Sequence, residues 1–224
     1  MDWHVSLRWL ERVLLTLGFL LVGLWFKNDT EARAFRSTET TKLEVARLSG
    51  EFTDAPSRGF SKEPWCPRAL ESGVFGRIEI PRLGISALIA EGTGPAQLNR
   101  AVGHIATTVF PGRPGNCALA GHRDSFLRGL GEVRENDVIR IDTLQDTYLY
   151  KVEWGAVVEP HRIDVLDATA APSLTLITCY PFAFVGPAPQ RFVVRARQVE
   201  AVGGSTAIKE RDAFQPLGLT AERR

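Results

Sequence analysis

SLTLITCYPFAFVGPAPQRFVVRAR, from Ser173 to Arg197, reads as two extended runs joined by a loop rich in Gly, Pro and aromatic residues. Side chains along a strand alternate between faces with period two. In the first run Leu174, Leu176 and Thr178 therefore share one face, and Thr175, Ile177 and Cys179 the other. In the second, Phe192, Val194 and Ala196 alternate with Arg191, Val193, Arg195 and Arg197. Cys179 ends the first strand and Arg191 begins the next. Paired as an antiparallel hairpin with a long loop, they set a thiol opposite a guanidinium at one sheet edge. A cationic neighbour favours thiolate over thiol, which makes Cys179 a candidate nucleophile. Arg195 and Arg197 are expected on the exposed face of the final strand.

The same texture continues upstream as far as Gly73. Short β-like runs at 76–83 (GRIEIPRL), 86–91, 116–120 (NCALA), 138–142 and 147–158 are separated by Gly, Pro, Asn and Asp. Pro81 marks an edge or a strand end. Leu144-Gln145-Asp146 reads as the turn of a hairpin, with Tyr148, Tyr150 and Val152 on one face beyond it. Residues 96–101 suit one helical turn, and 124–130 a helix with Asp124 or Ser125 as its N-cap. Seven or eight strands with little helix in about 130 residues point to a closed or nearly closed barrel.

The N-terminal end has a different character. Residues 13–26, VLLTLGFLLVGLWF, are uncharged and almost wholly apolar, with Arg8 and Arg12 before them. The run is short for a bilayer, but Trp9 and Leu10 extend it, and Trp9 and Trp25 suit the two interfaces. A cleaved signal peptide fits the length, yet Lys27, Asn28, Asp29 and Thr30 follow where small residues should stand. A buried soluble helix is disfavoured by apolarity all round. An uncleaved signal anchor with a cytoplasmic N-terminus is the preferred reading. Residues 28–70 are polar, hint at a short helix near 43–48, and are broken by Pro56, Pro64 and Pro67. They read as a spacer between the anchor (1–27) and a catalytic domain at 71–200. The tail, 201–224, has no strong pattern and is expected to be partly disordered.

The totals exclude several classes. A net charge of +1 over 224 residues gives no case for nucleic-acid binding. The three cysteines, Cys66, Cys117 and Cys179, form no disulfide framework, CxxC pair or zinc cluster. Cys66 and Cys117 are read as two separately buried thiols in preference to a pair. No metal site and no cofactor are expected.

A cysteine nucleophile needs a proton carrier, and histidine is the usual one. His4 precedes the apolar run and lies on its wrong side. His161 follows Pro160 in a connection and should be exposed. His104 follows the short helical turn and suits a structural hydrogen bond. His122 ends the NCALA strand after Gly121, where a barrel rim would present it. By these arguments alone His122 and His104 stand about even.

Three motifs carry a resemblance. Thr175-Leu176-Ile177-Thr178-Cys179 is similar to the TLxTC signature of sortases. Ala120-Gly121-His122-Arg123-Asp124 resembles that family's histidine motif, and Gln190-Arg191-Phe192-Val193-Val194 its arginine strand. The likeness runs from about Phe75 to Val199. Cys179-Tyr180-Pro181-Phe182, with Gly186-Pro187-Ala188-Pro189 before Arg191, looks most like class D. The resemblance implies an eight-stranded sortase β-barrel behind an N-terminal transmembrane helix, and a cysteine transpeptidase. It implies His122, Cys179 and Arg191 as catalytic residues, with Thr178 and Arg191 touching substrate. The implied partners are secreted proteins bearing a C-terminal sorting motif and an amine acceptor from a cell-wall precursor or another protein. The loop between Tyr180 and Gln190 would then form one wall of a peptide groove.

Overall fold

The computed structural model describes residues 3–49, 69–183 and 186–203. The expectations for Cys66 and for the tail beyond Gly203 fall outside the described residues. The chain divides into two compact units, Met1–Glu39 and Thr40–Arg224.

Helix α1, Trp3–Ser49, runs through the first unit into the second. Its apolar part presents Trp9, Leu14, Phe19, Val22 and Trp25 to the outside, each more than half exposed. An apolar surface on every side is what a lipid-facing helix needs. By length and composition this helix can cross a membrane, its best window having a mean hydropathy of 1.6. The helix does not stop at Lys27. It continues through the polar stretch expected to hold only a short helix, supported by Asp29–Arg33 and Lys27–Glu31 pairs at i,i+4 spacing.

The second unit is a closed barrel of eight strands. In chain order they are β1 (Val74–Ile80), β2 (Ile85–Glu91), β3 (Val102–His104), β4 (Asn116–Ala120), β5 (Val138–Thr143), β6 (Asp146–Val158), β7 (Ser173–Tyr180) and β8 (Gln190–Gly203). Helix α2, Pro95–Leu98, supplies the expected single turn between β2 and β3. Around the barrel the order is β1-β2-β3-β4-β7-β8-β6-β5, with β5 closing on β1. Two pairs are parallel, β2 with β3 and β4 with β7, and the remaining pairs are antiparallel. The β5–β6 hairpin turns at Leu144-Gln145, and β1 ends at Ile80, where Pro81 opens a 3-10 turn.

One difference lies between residues 121 and 132. The helix expected at 124–130 is a run of turns followed by a 3-10 helix at Arg128–Glu132, entered without a side-chain cap. The two glycines in RGLGE weaken a regular helix, at close to 1 kcal/mol each relative to Ala.

The core fills the barrel. Ile78, Ile80, Ile89, Leu119, Ile139, Ile141, Tyr150, Leu174, Leu176 and Val194 are its buried centre, with Cys117 among them. Burial pushes the Cys117 thiol far up, so it stays protonated and inert. The segment of α1 from Thr40 packs on the outside of β1, β5 and β6. Leu43 is buried there, and Arg47 Nη1 lies 3.0 Å from Asp142 Oδ1. Arg47 Nη2 donates to Thr147 Oγ1, which donates to Asp142 Oδ1 at 2.5 Å, and Arg140 Nε reaches both carboxylate oxygens. Burial alone would raise the Asp142 carboxyl. The Thr147 hydroxyl and the Arg47 and Arg140 guanidinia outweigh it and hold the group below the usual carboxylate range.

Candidate active site

The β7–β8 hairpin has the register read from its alternation. Leu174 pairs with Ala196, Leu176 with Val194 and Thr178 with Phe192, all turned toward the barrel interior. Thr175–Arg195, Ile177–Val193 and Cys179–Arg191 are the alternate pairs, so they share the outer face. Cys179 and Arg191 are thus direct cross-strand partners on one side of the sheet. Arg191 Nη1 donates to the carbonyl oxygens of Ala188 (3.2 Å) and Gln190 (2.9 Å). Its Nε and Nη2 have no hydrogen-bond partner among the described residues.

His122 reaches the same place by a different route. Strands β4 and β7 run parallel, with Ala118 opposite Thr175 and Ala120 opposite Ile177. Two residues past Ala120 comes His122, and two past Ile177 comes Cys179. Both therefore leave the same end of adjacent strands, on the parity of the outer face. Two bonds fix this junction. Gly121 N–H donates to Ile177 O at 3.0 Å, and Thr178 Oγ1 donates to Gly121 O at 2.7 Å. Thr178 is only 2% exposed. Its hydroxyl is spent inside the protein, on the backbone next to His122. Half-buried Ala120 and Ile177 form the floor between the two chain ends, and His122 and Cys179 are half-buried as well.

His104 is engaged elsewhere. It ends β3, 1% exposed, with Nδ1 2.6 Å from Glu91 Oε2 and Nε2 3.1 Å from Val109 O. Phe110 stacks on its ring at 4.5 Å between centroids. Both nitrogens face oxygen acceptors, so neither is available to a substrate. It is also level with Leu119 and Leu176, on the inner-face parity of the sheet and not on the outer face that carries Cys179. His161 is exposed in the β6–β7 connection, as expected.

Two features were not read from the sequence. First, Arg195 is not exposed but 9% accessible, because residues 159–172 cross the outer face of β7 and cover it. Desolvation lowers the pKa of its guanidinium from the usual arginine value, which is high enough that the group stays charged. Arg197, by contrast, is exposed and 3.6 Å from Glu153. Second, the β7–β8 connection is seated at its root. Phe182 packs on Tyr180 and Phe192, at 6.0 and 5.6 Å between ring centroids. It lies so close over Gly131 that a Cβ there would come within 2.7 Å of its ring. Arg123 Nη2, one residue beyond His122, donates to Gly186 O at 2.9 Å on the same connection. The clue to the seat was the glycine in the 3-10 segment; nothing local hinted at the cover over Arg195.

Among the described residues no cluster of three or more His, Cys, Asp or Glu side chains is arranged to hold a metal ion.

Comparison with known proteins agrees with this geometry. The sortase domain family matches residues 78–199. Sortase D of Bacillus subtilis is 31% identical over 188 residues, covering 81% of this chain and 89% of that protein. Among solved structures, sortase E1 of Streptomyces coelicolor, with a tripeptide in its active site, superposes with a TM-score of 0.54. It is 27% identical and covers 66% of this chain and 97% of its own. The Clostridium perfringens sortase D5 transpeptidase shares the fold, with a TM-score of 0.55 at 23% identity, covering 75% and 98% of the two chains. A thiol and a guanidinium paired across a hairpin, a histidine at the end of the adjacent parallel strand, and this family match over the barrel lead to one conclusion: the chain belongs to the sortase family, cysteine transpeptidases that anchor proteins at the cell surface.

Proposed function

We propose that Cys179 is the nucleophile, His122 the proton carrier and Arg191 the holder of substrate and oxyanion. The observation that carries this reading is the register: Cys179 opposite Arg191, with His122 leaving the parallel neighbour at the same end. The Cys179 sulfur attacks the carbonyl carbon of one peptide bond in a C-terminal sorting motif. The carbonyl electrons move to oxygen, where the Nε and Nη2 donors of Arg191 meet them. The C–N bond then breaks, and His122 gives a proton to the departing amine. A thioester on Cys179 remains. An incoming amine attacks it, loses its proton to His122, and leaves with a new amide bond while the thiolate is restored. These steps require no metal.

Thr178 in this reading is a positioning residue, acting through Gly121 rather than on substrate. The apolar helix serves as a single-pass anchor with its N-terminus in the cytoplasm and the barrel outside. Residues 28–70 hold the barrel off the membrane. The substrates are secreted proteins, and the acceptor is an amine of a cell-wall precursor or of a second protein. The tripeptide held by sortase E1 of Streptomyces coelicolor supports a short peptide as the recognised unit.

The test offers the full chain, in detergent, a peptide library with and without an added amine. Mass spectrometry should find an acyl adduct on Cys179 and, with amine, a ligated product. Cys179→Ala should give neither, and Arg191→Ala should lower turnover by about 100-fold. Undiminished turnover in Cys179→Ala ends the proposal, and hydrolysis unaffected by amine reassigns the enzyme as a thiol peptidase.

A further inference from the structure

We infer that Arg195 is a positioning residue, one that fastens the connection between β6 and β7 across the outer face on which Cys179 stands. Its side chain is buried, yet no carboxylate lies within ion-pair distance among the described residues. A buried cation without a carboxylate is costly unless its N–H groups are well used. Here Nη2 donates to Val165 O at 2.9 Å and Nη1 to Ser173 Oγ at 3.2 Å, with the Trp154 ring 5.9 Å from Cζ.

Val165 O has a second donor. Asn116 Nδ2, on β4, reaches it at 3.0 Å, and Asn116 Oδ1 accepts from Thr175 Oγ1 on β7 at 2.6 Å. Strand β7 lies between β4 and β8. One carbonyl is thus gripped from both neighbours of the strand it crosses, level with Ser173 and Thr175. Ser173 Oγ also meets Thr169 Oγ1 at 2.7 Å, which ties the far end of the same connection.

The connection's other ties to the barrel are at its two ends, where Gln190 Nε2 donates to Glu159 Oε1 at 2.9 Å and Gln198 N–H to Pro172 O at 3.0 Å. Of residues 159–172, all of them described, Val165 alone is buried, and Ile163 is 75% exposed. A segment with one apolar anchor opens easily unless polar contacts secure it. The grip lies four residues down β7 from Cys179, roughly 13 Å at about 3.3 Å per residue. Arg195 therefore touches no reacting atom. It keeps the 3-10 helix Ile163–Leu166 seated at the level of Ser173 and Thr175, on the outer face that runs on through Ile177 to Cys179, so that substrate meets a preformed groove. The consequence for catalysis rests on the function proposed above, whereas the fastening itself does not.

The experiment compares wild type, Arg195→Lys, Arg195→Met and Asn116→Ala as full chains. Amide hydrogen exchange needs no substrate. It should rise at residues 163–167 in Arg195→Met and Asn116→Ala while the β1 and β5 amides stay protected. Steady-state kinetics with a ligation peptide should show KM raised about tenfold in Arg195→Met, the scale of losing hydrogen bonds from a charged donor, with kcat within threefold. Arg195→Lys, which keeps one donor, should recover part of the loss. If Arg195→Met does not fold, Asn116→Ala and Arg195→Lys carry the same two readouts. Unchanged exchange at 163–167 in a folded variant overturns the inference, as does a fall in kcat with KM unchanged. A wild-type enzyme inactive on every peptide would instead refute the proposed function, leaving the exchange result to decide the role of Arg195.

Discussion

Thr178→Val separates two roles that this residue can play. Valine has nearly the same shape as threonine, so the substitution opens no cavity and removes one hydroxyl. The loss falls on Gly121 O, which accepts from Thr178 Oγ1 at 2.7 Å in a site only 2% exposed. A buried carbonyl left without its donor costs about 1–3 kcal/mol. With an m-value of about 2 kcal/mol/M, the midpoint of a urea titration should fall by roughly 0.5–1.5 M. Trp154 on the barrel provides the fluorescence signal. Activity should fall further than stability explains, because His122 follows Gly121 directly and a displacement of about 1 Å in a catalytic group costs on the order of 100-fold. The expected signature is a kcat reduced at least tenfold with KM little changed. Thr178→Ser keeps the donor and should keep kcat, losing only about 0.8 kcal/mol for the missing methyl. A Thr178→Val enzyme with wild-type midpoint and kcat but a raised KM would refute this reasoning and return Thr178 to direct substrate contact.

Two further outcomes follow from the packing. Arg47→Met should destabilise the barrel by about 2–4 kcal/mol at neutral pH, since it strips one cation from the buried Asp142. Asp142 is held below its unfolded value, so its contribution is present above about pH 4 and is lost as pH falls through the folded pKa. The gap between wild type and Arg47→Met in urea midpoint should therefore narrow below pH 4, and a gap constant from pH 7 to pH 3 would exclude this account. Gly131→Ala should press its Cβ against the Phe182 ring and shift the root of the β7–β8 connection, at about 1–3 kcal/mol. The double variant Gly131→Ala/Phe182→Leu should recover most of the loss in a thermal melt, and strict additivity would show that the two do not meet.

The hairpin was legible because its alternation is strict: one apolar face, one mixed face, and a one-residue slip would have exchanged them. That register alone set Cys179 against Arg191. The choice of His122 was not legible from physics, because parallel pairing joins strands distant in sequence. Asn116–Ala120 and Ser173–Tyr180 are separated by more than fifty residues, and no local pattern announces their contact. Strand β3 escaped notice for a simpler reason, being three residues long with a glycine in the middle. The continuation of α1 was signalled by Asp29–Arg33 spacing but outweighed by polar composition. Arg195 was misplaced because alternation tells which side of a sheet a residue takes, not what later crosses that side.

The pairing of Cys179 with Arg191 has a consequence for how such an enzyme can diversify. The two groups are fixed by backbone hydrogen bonds between β7 and β8, not by the residues that join them. Loop closure costs little more when a loop lengthens, about 0.6 kcal/mol per doubling. Chain between Phe182 and Pro189 can be exchanged, shortened or extended while the backbones of Cys179 and Arg191 stay paired. The carbonyls of Gly186 and Ala188, which accept from Arg123 and Arg191, would need replacements in the new loop. Chemistry and recognition are thus encoded in separable pieces of one hairpin, and a grafted loop is a route to new substrates that leaves the reaction untouched.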